Sequence, residues 1–188
     1  CIFENVQKVR PGHVTSLSLV DAIDRAQPFE TFSDLLDGGL AFRLPNRPGV
    51  LDQLEATLGQ VVEEQMLSDV PFGCFLSGGV DSSLIASLMQ SRSGQPIRTF
   101  AIGFSEARFN EAPHAAAVAQ HLGTDHTEFI LSEQDALGVI PDLPEIYDEP
   151  FADSSQIPTV LLCRKARKSV TVVLTGDGGD EVFGGYNR

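Results

Sequence analysis

The sequence predicts an α/β fold: a doubly wound, mostly parallel sheet with helices on both faces. Three observations predict it. Short apolar runs at residues 72–76, 98–104, 126–131 and 170–174 are rich in aromatic and β-branched side chains. Segments with helical spacing separate them, the alternation that parallel strands joined by helical crossovers produce. Two glycine-rich turns, at residues 77–83 and 175–181, follow the first and the last of these runs. Folds of this class gather ligands beyond the carboxyl ends of their strands.

The elements follow in order. Residues 1–20 read as a short strand, a Pro11-Gly12 turn and a second strand around 14–19. Residues 21–47 mix Asp, Gly, Pro and scattered apolar residues without a sustained period, so a linker with one helical turn is expected. From Pro48 the pattern sharpens. Leu51, Leu54, Leu58, Val61, Val62 and Met66 fall at three- and four-residue steps, an amphipathic helix that stops before Pro71. The strand at 72–76 leads through glycines into a helix at 82–90. A strand at 98–104, a helix at 111–122 with Gly123 in C-cap position, and a strand at 126–131 come next. The helix over 133–147 is interrupted by Pro141 and Pro144. A helix at 158–168 and the β-branched strand at 170–174 complete the series.

At 188 residues the chain is long enough for one well-cored domain, or one domain with a short appendage. A formal net charge of −13 argues against a nucleic-acid partner, because phosphate backbones need a basic surface. It fits a protein that meets polyphosphates through Mg²⁺ and backbone N–H groups, and fits a merely solvated acidic surface equally well. No apolar run approaches the roughly 18 residues of a membrane span, so no membrane partner is expected. Cys1, Cys74 and Cys163 lie far apart without metal-ligand spacing, and Cys74 and Cys163 read as small core residues. Neither a disulfide nor zinc is expected, in keeping with a cytoplasmic setting. His13, His114, His121 and His126 are dispersed and read as surface or structural. Arg164, Lys165, Arg167 and Lys168 form a basic run at a helix end, where cations are favourable.

The stretch Leu76-Ser77-Gly78-Gly79-Val80-Asp81-Ser82-Ser83 is the most informative in the chain. A buried strand entering a glycine turn and then a helix suits phosphate. Adjacent glycines let the backbone curl round an anion, and the helix start adds unpaired N–H donors. Ser77, Ser82 and Ser83 bring hydroxyls, and Asp81 can hold a Mg²⁺ that bridges phosphate oxygens. The lysine of the GxxxxGK[ST] loop is missing, so this is not that loop. A bare Gly/Ser turn is the alternative, and both flanks speak against it.

SGGVDSS resembles the pyrophosphate-binding PP-loop, SGGxDS, of ATP pyrophosphatases, which adenylate a substrate and release pyrophosphate. The second turn, Thr175-Gly176-Asp177-Gly178-Gly179-Asp180-Glu181, places three carboxylates within five positions on a glycine-rich, mobile turn. That density suits a second Mg²⁺ contact and screening of a leaving pyrophosphate. An acidic surface turn or a calcium loop is the alternative, though the EF-hand spacing is not met. With the following Val182-Phe183-Gly184-Gly185-Tyr186 it resembles the SG[DE]G[SG]DE-x-FGGY signature of asparagine synthetases. Phe100-Ala101-Ile102-Gly103-Phe104, His121-Leu122-Gly123-Thr124-Asp125-His126 and Asp148-Glu149-Pro150-Phe151-Ala152-Asp153-Ser154-Ser155 also resemble that family. So does residues 2–13, which looks like the family's junction between glutaminase and synthetase domains.

The resemblance implies an adenine nucleotide alpha hydrolase-like fold and ATP-dependent amide synthesis. ATP and Mg²⁺ are the implied cofactors; the implied partners are ATP, aspartate or another carboxylate, and ammonia from glutamine. Leu76 and Ile102 would offer backbone contacts to adenine. Ser77, Gly78, Gly79, Ser82 and Ser83 would hold pyrophosphate, with Thr175 and Gly176 lining the nucleotide site. Asp81 and Asp180 would bind Mg²⁺, and Asp177 would act on ammonia attack. At Asp153 some members carry arginine, which keeps other acceptors open: a sugar-linked or peptide carboxylate, or β-lactam closure. A nucleotide-binding domain without turnover is the remaining alternative. Residues 1–47 are expected to be the junction and linker after a glutaminase domain, and 48–188 the front part of the synthetase domain. Cys1 opens the chain without a methionine, and Ile2 follows it where the family's nucleophile is followed by glycine. It therefore reads as an ordinary residue inside a longer polypeptide. A phosphate-binding lysine would lie further along, so this stretch alone is expected to be inactive. A homodimer stays open.

Overall fold

In the computed structural model, which describes residues 1–18, 25–29, 31–41, 48–105, 110–150 and 152–186, the chain forms two units, Cys1–Leu51 and Asp52–Arg188. The first holds an antiparallel pair, β1 (His13–Ser16) and β2 (Arg25–Pro28), with His13 opposite Pro28. Gly12 turns at φ +71 just before β1, and its carbonyl accepts the Phe29 amide at 2.9 Å. The partner of β1 therefore comes from downstream. The strand expected before the Pro11-Gly12 turn is absent among the described residues.

Helix α1 (Phe32–Ala41) replaces the single helical turn expected of the linker. Thr31 and Asp34 cap it reciprocally: the Asp34 amide donates to Thr31 Oγ1 at 3.2 Å and the Thr31 amide to Asp34 Oδ2 at 3.1 Å. The Thr31 hydroxyl, and after it the Thr31 amide, both donating to Oδ2, hold the Asp34 carboxyl below its usual range. The parts of the strand and linker readings that fall on 19–24, 30 and 42–47 lie outside the described residues.

The larger unit contains the sheet. Helix α2 (Val50–Gln65) begins at the join and buries Val62, with Leu58 and Met66 packed beside it. Then come β3 (Phe72–Phe75), α3 (Val80–Arg92), β4 (Arg98–Phe104), α4 (Ala112–Leu122) and β5 (Asp125–Leu131). Next are α5 (Glu133–Val139), a 3₁₀ turn at Ile140–Asp142, α6 (Leu143–Ile146), α7 (Gln156–Ala166), β6 (Val172–Leu174) and α8 (Gly179–Phe183). Pro141 and Pro144 break the 133–147 helix as expected. Gly123, at φ +71, ends α4, and its amide donates to Ala119 at 2.9 Å.

The four strands lie in the order β5-β4-β3-β6, all parallel. Side chains alternate across the sheet. Cys74 and Ala101 pack with Ala86, Met89, Ala115 and Ala119 of α3 and α4 on one face. Phe100, Ile102 and Phe129 pack with residues of α5 and α7 on the other. Helices thus cover both faces, and the doubly wound parallel architecture expected from the sequence is the one observed. No helix among the described residues is long and apolar enough to cross a membrane.

Candidate functional site

The strand order places the site. From β3 the chain steps to β4 and then β5, whereas β6 returns to the opposite side of β3. In open α/β sheets ligands gather beyond the carboxyl ends of the strands, where the strand order reverses. Residues 76–79 leave β3 at that end, and residues 175–178 leave β6.

Buried Leu76 extends the ladder by one bond, its amide donating to the Phe100 carbonyl at 2.9 Å. Gly78 then turns at φ +83, where a side chain is strained. A Cβ there would also lie 2.7 Å from His114 Cβ and 2.8 Å from the Ala115 nitrogen. The loop is seated on the first turn of α4. Gly79, in extended geometry, is the N-cap of α3, so Asp81, Ser82 and Ser83 occupy its first turn. The Ser77 and Ser82 hydroxyls meet at 2.8 Å, Ser77 Oγ accepts the Gly79 amide at 3.2 Å, and Ser82 Oγ accepts the Ser77 amide at 3.2 Å. Ser83 Oγ is buried without a hydrogen-bond partner among the described residues.

The second loop rests on the first. A Cβ at Gly176 would stand 2.7 Å from the Ser82 nitrogen and 2.8 Å from the Asp81 carbonyl carbon. One at Gly179 would stand 2.7 Å from Asp81 Oδ2. The acidic turn therefore lies directly on the helix start and on the Asp81 carboxylate. Within it the Asp177 amide donates to Thr175 Oγ1 at 3.2 Å, and Gly179–Phe183 is helical. The Tyr186 phenol donates to Glu181 Oε1 at 2.6 Å, which holds that carboxyl below its usual range.

Asp81 and Asp180 are hard oxygen donors, and Asp180 directly follows the glycine seated on Asp81. Among the described residues no group of three or more His, Cys, Asp or Glu is placed to hold a metal by itself. Mg²⁺ commonly takes one or two carboxylates and completes its shell with substrate phosphates and water. The donor set fits Mg²⁺ arriving with a polyphosphate, and does not fit a self-sufficient metal centre.

The family model for asparagine synthase matches residues 53–188. A putative asparagine synthetase (glutamine-hydrolysing) 2 of Methanocaldococcus jannaschii is 44% identical over 138 residues, 73% of this chain and 27% of that protein. Asparagine synthetase (glutamine-hydrolysing) 1 of Bacillus subtilis is 32% identical over 181 residues, 90% of this chain and 28% of that one. The chain belongs to the asparagine synthase family. It spans less than a third of the length of these two relatives. Among solved structures it is similar to an NH3-dependent NAD synthetase from Campylobacter jejuni, with TM-score 0.50, 16% identity, and 72% of this chain and 60% of that one covered. It is similar as well to an NMN synthetase from Francisella tularensis, with TM-score 0.51, 16% identity, and 72% and 58% covered. At such identity the likeness establishes the fold.

In this asparagine synthase family chain, the structure brings together most of the residues singled out from sequence. Ser77, Gly78, Gly79, Asp81, Ser82 and Ser83 form one loop and helix start, and Thr175, Gly176, Asp177 and Asp180 belong to the loop lying against it. Asp177 is exposed, whereas Asp180 is partly buried. Ile102 stands further off on β4, its side chain packed against the cluster of Leu131, Val139, Val160 and Leu161. Asp153 precedes α7, exposed, and its Oδ1 accepts the Ser155 amide at 2.8 Å, which holds its carboxyl below the usual range. Phe151 and residues 187–188 lie outside the described residues.

Cys74 is fully buried and its thiol is pushed up to about 12 by burial. Cys163 corrects the sequence reading: it is exposed on α7, because it falls beside the apolar stripe of that helix. The sequence reading missed the wall that His114 and Ala115 build behind the first loop. Its only trace in the sequence is Gly78, whose missing Cβ makes the room.

Proposed function

We propose that this chain is the front part of the ATP-dependent synthetase domain of a glutamine-hydrolysing asparagine synthetase. The interlock of the two loops carries the reading: Gly176 and Gly179 seat the acidic turn on Asp81 and Ser82. Residues 1–47 are the junction and linker after a glutaminase domain, and 48–188 begin the synthetase domain. The setting is cytoplasmic.

In this reading the loop at 77–83 receives the β- and γ-phosphates of ATP. Its amides and hydroxyls are fixed before the ligand arrives, so little reorganisation accompanies the chemistry. The acceptor's β-carboxylate oxygen attacks the α-phosphorus, the bond to the β-phosphate oxygen breaks, and pyrophosphate leaves with its electron pair. Ammonia then attacks the acyl carbon, AMP departs, and the amide remains after loss of a proton. Asp177, exposed at the lip of the second loop, is the group available to take that proton. Asp81 and Asp180 would hold Mg²⁺, which when bound neutralises phosphate charge. Leu76 and Ile102 would meet adenine through their backbones; the Leu76 amide is engaged by the Phe100 carbonyl.

A second reading keeps this chemistry and changes the acceptor. Asp153 keeps it open, since some members of the family carry arginine at that position. Pyrophosphate release by the full polypeptide, with ammonia and a panel of carboxylic acids, tests both. Release stimulated by aspartate, with asparagine formed, supports the first reading. Release with another acid only supports the second. Mg·ATP binding without release under any condition overturns both.

A further inference from the structure

The turn that closes the acidic loop is packed against Asp180. A Cβ at Gly185 would overlap Asp180 Oδ1 and lie 2.9 Å from Asp180 Cγ. The carboxylate occupies the space a side chain at 185 would fill. Gly184, at φ +71, bends the chain back, and the amides of Gly184 and Gly185 donate to the Asp180 carbonyl at 2.8 and 3.1 Å. One residue on, Tyr186 ties the same turn to Glu181 through its phenol.

Gly185, unlike Gly184, is not in the left-handed region. Its backbone accepts alanine, so space, not conformation, makes glycine necessary there. The atom displaced is the tip of a side chain, which can rotate away without disturbing the fold.

We infer that Gly185 is a positioning residue that sets the orientation of the Asp180 carboxylate, and that Tyr186 latches the turn in place. The inference rests on the metal role proposed for Asp180. An added methyl at 185 drives that carboxylate out of its orientation toward a cation arriving with ATP, while leaving the helix intact.

The test measures Mn²⁺ half-saturation by electron paramagnetic resonance in the full polypeptide with a non-hydrolysable ATP analogue, with thermal unfolding alongside. Gly185→Ala is expected to weaken Mn²⁺ binding roughly 10–100-fold, the usual loss when a residue orienting a ligand is changed, with an unchanged melting temperature. Asp180→Asn weakens it comparably, and the double variant no further, because both act on one carboxylate. Tyr186→Phe, which keeps the ring, weakens it about fivefold, in line with loss of one hydrogen bond, and carries the test alone should Gly185→Ala fail to fold. Loss in Asp180→Asn with none in Gly185→Ala or Tyr186→Phe overturns the positioning role and leaves the metal role standing. Full additivity in the double variant overturns it as well. Unchanged binding in Asp180→Asn overturns both.

Discussion

Gly176→Ala is the sharpest test of the interlock between the two loops. The new methyl would sit 2.7 Å from the Ser82 nitrogen, short of the 3.4 Å at which ordinary contact begins by about 0.7 Å. It would also meet the Asp81 carbonyl carbon at 2.8 Å and Asp81 Cβ at 2.9 Å. Two of these three atoms are backbone in the first turn of α3 and cannot rotate aside, so the loops must part. Overpacking of this kind costs about 1–3 kcal/mol. Gly94→Ala is the control: no atom lies within 4 Å of its Cβ and its φ is not left-handed. That change should be neutral or stabilise by up to about 1 kcal/mol through the unfolded chain. Urea denaturation of both variants measures the difference, and calorimetry with ATP reads the site. Gly176→Ala should lose stability and nucleotide affinity together. Equal stability of the two variants would refute the packing of one loop on the other.

Other outcomes follow from single groups. His126 is partly buried, its Nδ1 2.9 Å from Thr99 Oγ1, and burial lowers its pKa against a smaller opposing effect of Glu128. The unfolded chain then binds more protons, so its stability contribution is complete above the unfolded value near 6.5 and is lost as pH falls through the lowered folded value; denaturation from pH 7.5 to 5 should show that slope, and His126→Leu should flatten it. Maleimide at pH 8 should modify Cys1 quickly, the exposed Cys163 more slowly because desolvation raises its thiol, and Cys74 only in denaturant. Ser83→Ala should leave folding unchanged or raise stability by up to about 1 kcal/mol, because its buried hydroxyl has no partner among the described residues, and should weaken ATP binding. A loss beyond about 1 kcal/mol would show that the hydroxyl is satisfied in the free protein.

Much of the sheet was legible because parallel strands buried on both faces announce themselves as short apolar runs between helical spacings. Residues 72–76, 98–104 and 126–131 are examples. The opening region was not. The pairing of β1 with β2 depends on a contact across residues 19–24, which no local period reveals. Helix α1 was readable in principle from Thr31 and Asp34, three residues apart ahead of Leu35, Leu36 and Leu40. Gly38 and Gly39 hid it by lowering the apparent helical propensity. At the site, residue types were legible and their mutual placement was not. That Gly176 faces Ser82 depends on β6 returning beside β3, a choice made by the whole sheet; that Gly185 faces Asp180 is local, set by the left-handed turn at Gly184.

The serine network explains how such a loop keeps its shape before phosphate arrives. Ser77 Oγ accepts the Gly79 amide, Ser82 Oγ accepts the Ser77 amide, and the two hydroxyls bond each other. A run of polar groups at a crevice would otherwise be free to collapse onto nearby carbonyls or to leave donors unmet, and both outcomes oppose a single conformation. Here the loop satisfies itself while Gly78 is wedged against α4 and Gly176 against α3. On the proposed function, phosphate binding would exchange one set of hydrogen bonds for a charge-assisted set, which is stronger. The backbone need not be ordered again, so its entropy is not lost at that moment. Ser83, partnerless among the described residues in the free protein, would gain a bond without giving one up. By this argument Ser77 and Ser82 fix the geometry, whereas Ser83, whose hydroxyl is buried, supplies net affinity. Ser77→Ala should therefore disturb the free loop more than Ser83→Ala does.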